Sequence, residues 1–185
     1  MRFNKHLNLQ GEHAFLSPSS YHWIHYTPDR LIQKWTAAQA GAYGTMQHEY
    51  AMREIRAGRM SDLVGTVGLY INDAIRYRMT TEQVLYYSEN CFGTADTIAF
   101  RYKTLRIHDL KTGVIPGSVH QLEVYAALFC LEYGVDPFKI KMELRIYQAD
   151  EVSVYDADPE DIAFIMERII EFDSLINHRI REEES

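Results

Sequence analysis

Two acids and a lysine interrupt apolar rows in the middle of the sequence. Over residues 104–111 the period of a strand puts Leu105, Ile107, Asp109 and Lys111 on one face, so a carboxylate and an ammonium extend a row that otherwise belongs in a core. Over residues 96–102 the same period puts Asp96 with Ile98 and Phe100. If the two stretches pair about a turn near Lys103, residue-number sums of roughly 205–207 set Asp96 opposite Asp109 to Lys111, and the two acids become neighbours. Adjacent anions at a core edge repel each other and lose hydration, so they require a cation or a shared proton. Lys111 supplies one positive charge and a divalent ion would supply the rest. Hard oxygen ligands suit Mg²⁺ or Mn²⁺, which bind through one or two carboxylates together with substrate phosphate oxygens. That pairing points to phosphodiester hydrolysis, with Lys111 orienting or activating a water. Taken singly, acid-x-Lys is weak, since about one such triplet arises by chance in a chain of this length. An ordinary surface ion pair is the competing reading.

The elements that must position these groups follow from period and punctuation. Residues 16–20, Leu-Ser-Pro-Ser-Ser, read as a helix start. Thr27-Pro28-Asp29 interrupts it, and a second helical stretch runs over about 30–40. Residues 43–56 have high helix propensity, and 63–78 repeat apolar residues at helical spacing despite Gly65 and Gly68. Extended runs at 83–88, 96–102 and 104–110 then suggest a three-strand meander. Residues 118–133 return to helical period and close at Gly134 and Asp136-Pro137. Residues 139–147 alternate, with Ile140, Met142, Leu144 and Ile146 on one face. Asp158-Pro159-Glu160-Asp161 starts a final helix with an Ile162, Ile165, Ile169, Phe172 and Ile176 stripe. The order predicts an α/β fold, a mixed sheet of four to five strands flanked by helices.

The 185 residues are 46% hydrophobic, enough for one domain with a real core, and the composition is neither disordered nor collagen-like. No apolar run approaches a membrane span, and residues 1–10 lack the apolar stretch of a secretory signal, so the expected location is the cytoplasm. Lys plus Arg number 19 and Asp plus Glu 26, giving a net charge of −7. That balance disfavours uniform wrapping around nucleic acid but leaves room for a local basic groove or a metal-holding acidic site. Cys91 and Cys130 alone cannot build a four-thiolate site or a disulfide framework, and both read as reduced.

Read in order, the chain gives Gly44-Thr45-Met46-Gln47-His48-Glu49, Gly93-Thr94-Ala95-Asp96, Asp109-Leu110-Lys111 and Gln121-Leu122-Glu123-Val124-Tyr125. This series resembles the PD-(D/E)XK nuclease superfamily, in its RecB-type, lambda-exonuclease-like branch, whose pattern is G-x-x-x-H, G-x-x-D, (D/E)-x-K and Q-x-x-x-Y in that order. The resemblance spans residues 16–148. It implies a restriction-endonuclease-like core of αβββαβ type over about 43–148, inside a single nuclease domain covering 1–185. A helical part over about 16–80 would precede the core and a helix over about 159–180 would follow it. It also implies His48, Asp96, Asp109 and the Leu110 carbonyl as ligands of Mg²⁺ or Mn²⁺. Lys111 would be the catalytic lysine, with Gln121 and Tyr125 reaching it or the DNA from one helix face. Glu49 would serve a second metal or an outer position, or be merely solvated. Arg53 and Arg56, one turn apart, are candidates for a DNA phosphate.

The iron-sulfur members of this branch carry a Cys-Pro after the serine helix and further cysteines near the C-terminus. Here the stretch is Tyr26-Thr27-Pro28 and no cysteine follows Cys130, so no iron-sulfur cluster is expected. A G-x-x-x-x-G-K-[ST] phosphate loop is also absent. The activity implied is that of a phage-type exonuclease resecting linear duplex DNA. The same site would serve an endonuclease or single-strand nuclease, and a catalytically silent nuclease-like DNA-binding or interaction module is the reading from another class. The implied partners are DNA, a second copy of the chain and a single-strand annealing protein.

Overall fold

The structure is a computed structural model and describes residues 14–183, with side chains at 19–21 and 181–183 excepted. What the sequence suggests for residues 1–10 lies outside the described residues. Contacts group the chain into one compact unit ending at Tyr43 and another beginning at Gly44.

In the first unit a 3-10 helix at Pro18–His25 occupies the serine-rich segment, and the Trp23 indole donates to the Ser17 carbonyl at 3.0 Å. The long helix α1, Pro28–Arg56, begins here and runs into the second unit. The sequence predicts two helical stretches in its place. Thr27-Pro28 separates α1 from the 3-10 helix as expected, the Thr27 hydroxyl accepting from Arg30 N, but the expected gap after residue 40 does not open. A glycine such as Gly41 costs a helix interior only ~1 kcal/mol, which the flanking Ala and Gln residues outweigh.

The second unit is built on a five-stranded mixed sheet in the order β1-β2-β3-β4-β5. After α2 (Thr66–Arg76) come β1 (Thr80–Ser88), β2 (Cys91–Arg101) and β3 (Thr104–Leu110), the predicted antiparallel meander. β2 and β3 join through Tyr102 and Lys103, both at positive φ as a two-residue hairpin turn requires. β4 (Lys141–Gln148) pairs parallel to β3, and the crossover that a parallel pair needs is α3 (Val119–Tyr133). The Ser118 hydroxyl accepts from His120 N at the start of α3, and Gly134 ends it in the left-handed conformation. The period of the sequence does not predict β5 (Glu151–Asp156). It folds back on β4 through Ala149 and Asp150, again both at positive φ. α4 (Pro159–Glu183) starts as predicted, with Asp158 accepting from Glu160 N at 2.9 Å.

Each face of the sheet carries its own core. Ile98, Leu105, Ile107, Met142, Leu144 and Ile146 pack with Leu122, Ala126 and Phe129 of α3 and Ile162 of α4. Leu110 and Tyr147, on the opposite face, pack with Tyr70, Ile71 and Ala74 of α2 and with Ala51 and Ile55 of α1. Covered on both sides, β3 buries four residues in succession, Ile107, His108, Asp109 and Leu110. A single-face strand would have exposed two of them. Leu122 is fully buried where α3 meets the sheet. Replacing it with Ala is expected to lower unfolding stability by about 2–5 kcal/mol, measured by urea titration at unchanged m-value.

Candidate active site

The strand ends decide which groups meet. β2 and β3 pair with Thr97 opposite His108, so the register carries Asp96 to the position facing Asp109, as the sequence predicts. One detail differs. Ala95 and Ile98, three residues apart, both enter the core beneath α3, so strict alternation is interrupted at Asp96 and the face that the period assigns to it with Ile98 is not kept. Opposite it on β1, Glu82 is at positive φ and the ladder skips the pair. The Asp96 carboxylate turns instead toward the end of β3. Its Oδ2 accepts from Leu110 N at 3.0 Å and lies 3.7 Å from His48 Nδ1 on α1.

His48 comes this close because of the glycine one turn before it. Gly44 is buried, and a Cβ there would stand 2.5 Å from the Thr112 hydroxyl oxygen. The G-x-x-x-H spacing thus lets the chain just past Lys111 lie against the α1 backbone while His48 faces Asp96.

Asp109 is 5% exposed, and its cation is the Lys111 ammonium, 3.1 Å from Oδ1 and 3.0 Å from Oδ2. Only the first of these has hydrogen-bond alignment. Oδ2 is one of two buried side-chain atoms without a hydrogen-bond partner among the described residues, His108 Nε2 being the other. The Lys111 Nζ also donates to Gln121 Oε1 at 3.1 Å. Gln121 Nε2 reaches the Tyr125 hydroxyl at 3.5 Å, and that hydroxyl donates to the Thr94 carbonyl at 2.7 Å. Gly93 makes room for the ring, since a Cβ there would stand 2.9 Å from Tyr125 Cε1. Gln121 and Tyr125, i and i+4 on α3, therefore tie the lysine to β2 just ahead of Asp96.

Electrostatics follow from burial. Desolvation first, and the nearby Asp109 charge next among the raising effects, push the Asp96 carboxyl above its ordinary value, against the Leu110 N–H, His48 and Lys111, which pull it down. Behind the acids Tyr70 is buried, and burial together with Asp96 raises its phenol while the Thr97 contact opposes. Tyr70 carries no sequence signal, being one more aromatic on a core helix. Its place beneath both acids comes from the packing of α2.

Among the described residues no three His, Cys, Asp or Glu side chains gather into a ready-made metal cluster. Two carboxylates, a backbone carbonyl and open water positions are the kind of set Mg²⁺ accepts. The buried Asp109 Oδ2, close to the Lys111 ammonium but without a hydrogen bond, is the atom such an ion would satisfy. Glu49 is exposed, and among the described residues no hydrogen bond or ion pair joins it to these groups. The two candidate phosphate contacts are engaged within the chain. Arg56 donates to the Thr81 hydroxyl at 2.8 Å and to Glu82 at 3.1 Å, and Arg53 contacts Glu54 at 3.4 Å while lying over the Tyr50 ring.

Compared with family models, curated proteins and solved structures, the chain matches none. Its function must therefore be read from its own geometry. Among the described residues no helix is long and apolar enough to cross a membrane.

A raised carboxyl pKa means that ionised Asp96 costs stability. The folded state holds the proton more tightly than the unfolded chain, so its stabilising effect is present at low pH and is lost as pH rises from the ordinary carboxylate range through the raised value. Asp96→Asn keeps an acceptor for Leu110 N and removes the charge. In metal-free protein it is expected to melt above wild type at pH 7, with the gain shrinking toward pH 4, as followed by calorimetry across that range. A lower melting temperature at pH 7 would contradict this.

Proposed function

We propose that the protein is a metal-dependent DNA nuclease with a restriction-endonuclease-like core of the PD-(D/E)XK type, acting as an exonuclease on linear duplex DNA. The observation that carries the reading is the Lys111 ammonium held between Asp109 and Gln121, with Asp96 and His48 at the same strand end. Four separate sequence stretches, from α1, β2, β3 and α3, meet there in the order the family pattern uses. A buried acid, an acid whose carboxyl is pushed up by desolvation and a lysine gathered at one edge form the pattern by which functional sites are recognised.

Asp96, Asp109 and the Leu110 carbonyl would hold Mg²⁺ or Mn²⁺, with His48 beside Asp96 as a further ligand. When bound, that ion supplies charge stabilisation at phosphorus and acidifies a water. The chain's own groups do the rest. Asp109 and Gln121 fix the Lys111 Nζ, whose positive charge faces the phosphate that approaches the strand ends and orients the attacking water. Tyr125, anchored on the Thr94 carbonyl, holds Gln121 in place. The Leu110 N–H fixes the orientation of Asp96 through Oδ2, and His48 Nδ1 lies 3.7 Å from that same oxygen. DNA is the substrate, with a second copy of the chain and a single-strand annealing protein as companions in recombination, in a cytoplasmic setting. No iron-sulfur cluster takes part. With Arg53 and Arg56 bound by acids of their own chain, the backbone contacts would fall to other basic residues or require those pairs to open.

Incubation with linear and covalently closed circular duplex DNA, in Mg²⁺ and in EDTA, tests the reading. Loss of the linear DNA alone is expected, dependent on Mg²⁺. Lys111→Ala is expected to lower the rate at least ~10²-fold with DNA binding retained, since the lysine acts mainly on the transition state. Cutting of the circle would make the enzyme an endonuclease. Unchanged cleavage by Lys111→Ala would overturn the role given to the lysine, and inertness of both DNAs under every metal would favour the silent module.

A further inference from the structure

Lys111 is followed by a loop, residues 112–118, that must return the chain to the start of α3. Its two large apolar side chains do not anchor it, for Val114 is 98% exposed and Ile115 81%. What holds it is one side chain from the end of β4. Gln148 Nε2 donates to the Gly113 carbonyl at 2.6 Å and to the Ile115 carbonyl at 2.8 Å, while its Oε1 accepts from Gly117 N at 3.0 Å. A single amide thus takes up three alternate backbone groups, both of its N–H donors and its oxygen in use. The residue before it acts on the lysine too, since Lys111 N donates to the Tyr147 carbonyl at 2.9 Å.

The clamped loop closes on the lysine stem. A Cβ on Gly117 would stand 3.0 Å from Lys111 Cγ, 3.4 Å from its Cε and 3.0 Å from Ile146 Cγ2, so the glycine backbone lies directly against the methylenes. The ammonium end is held by Asp109 and Gln121, and the stem lies against Gly117, whose amide donates to Gln148. We infer that Gln148 is a positioning residue for Lys111, acting through Gly117. Its kinetic consequence rests on the nuclease reading, whereas its structural consequence does not. A reacting group displaced by about 1 Å can lose ~10²-fold in rate, so a stem freed on one side is expected to matter to the chemical step more than to DNA affinity.

The test compares wild type, Gln148→Leu and Gly117→Ala. Three quantities are read: hydrogen exchange at the Gly117 amide, the Lys111 Cε signal in ¹³C-lysine-labelled protein, and kcat and KM on linear duplex DNA with Mg²⁺. The lysine signal is assigned by its disappearance in Lys111→Arg. Gln148→Leu is expected to speed exchange at Gly117 at least tenfold, move the Lys111 signal, and lower kcat about 10–100-fold with KM within twofold. Gly117→Ala keeps the clamp but crowds the stem, and it is expected to move the Lys111 signal and lower kcat without speeding exchange. An opened loop in Gln148→Leu with the Lys111 signal and kcat unchanged would overturn the inference. If wild type cleaves no DNA, the nuclease reading fails separately, and the Lys111 signal decides alone: a shift supports positioning and its absence refutes it. If Gln148→Leu does not fold, Gln148→Glu, which keeps an acceptor for Gly117 N but loses both N–H donors to the loop, is read in its place: a moved Lys111 signal supports the inference and an opened loop with an unmoved signal overturns it.

Discussion

A carboxylate with almost no exposure sits at the end of a strand that is covered on both faces, and most of the local architecture answers to it. Asp109 cannot be hydrated where it lies, so it needs charge and donors from the protein or from something bound. Lys111, two residues on, reaches back to it, and Gln121 of α3 shares the same ammonium. That still leaves one oxygen without a hydrogen bond. Asp96 makes the problem harder by adding a second acid at the facing register position. Its own oxygen is satisfied by the Leu110 N–H, and His48 stands close by. An arrangement that concentrates acids at a buried edge and leaves a lone pair unmet is costly to fold. Such costs are borne where function needs them.

The fold meets this requirement through three devices. The β3–α3–β4 crossover brings Gln121 and Tyr125 back over the strand that carries Asp109 and Lys111. Gly44 of α1 leaves room for Thr112 and Gly93 of β2 leaves room for the Tyr125 ring, so that His48 and Tyr125 can reach. The end of β4 fixes the chain beyond Lys111, through the Tyr147 carbonyl on the lysine's own amide and the Gln148 side chain on the loop. Rigid elements rather than loops thus carry nearly every group of the candidate site, which favours a precise geometry.

Much of this is legible in the sequence, and the gaps have physical causes. Asp96, Asp109 and Lys111 stand out because an acid or a lysine at an apolar position violates the period of the strand, whereas His48, Gln121 and Tyr125 are suggested only by the resemblance; the register follows from the two-residue turn at Tyr102 and Lys103. β5 is hidden because its turn uses Ala149 and Asp150 at positive φ, without the Gly or Asn that marks a hairpin, and because its face is mostly exposed. The continuity of α1 is hidden because Gly41 weakens the helical pattern without breaking it. The slip in alternation at Asp96 lies opposite Glu82 at positive φ, a backbone feature that no side-chain period reports. Gln148 has no sequence signal either. A glutamine at a strand end is common, and only the fold reveals that its amide meets three loop groups.

The central claim is that the unmet Asp109 oxygen and its neighbour Asp96 exist to hold a divalent cation. Calorimetric titration of the protein with Mg²⁺ and with Mn²⁺, in wild type and in Asp109→Asn, tests it most directly. Saturable binding of the ion by wild type, lost or weakened at least about tenfold in Asp109→Asn while both proteins melt cooperatively, is the predicted result. Absence of binding in wild type, or equal binding by the two proteins, would contradict it.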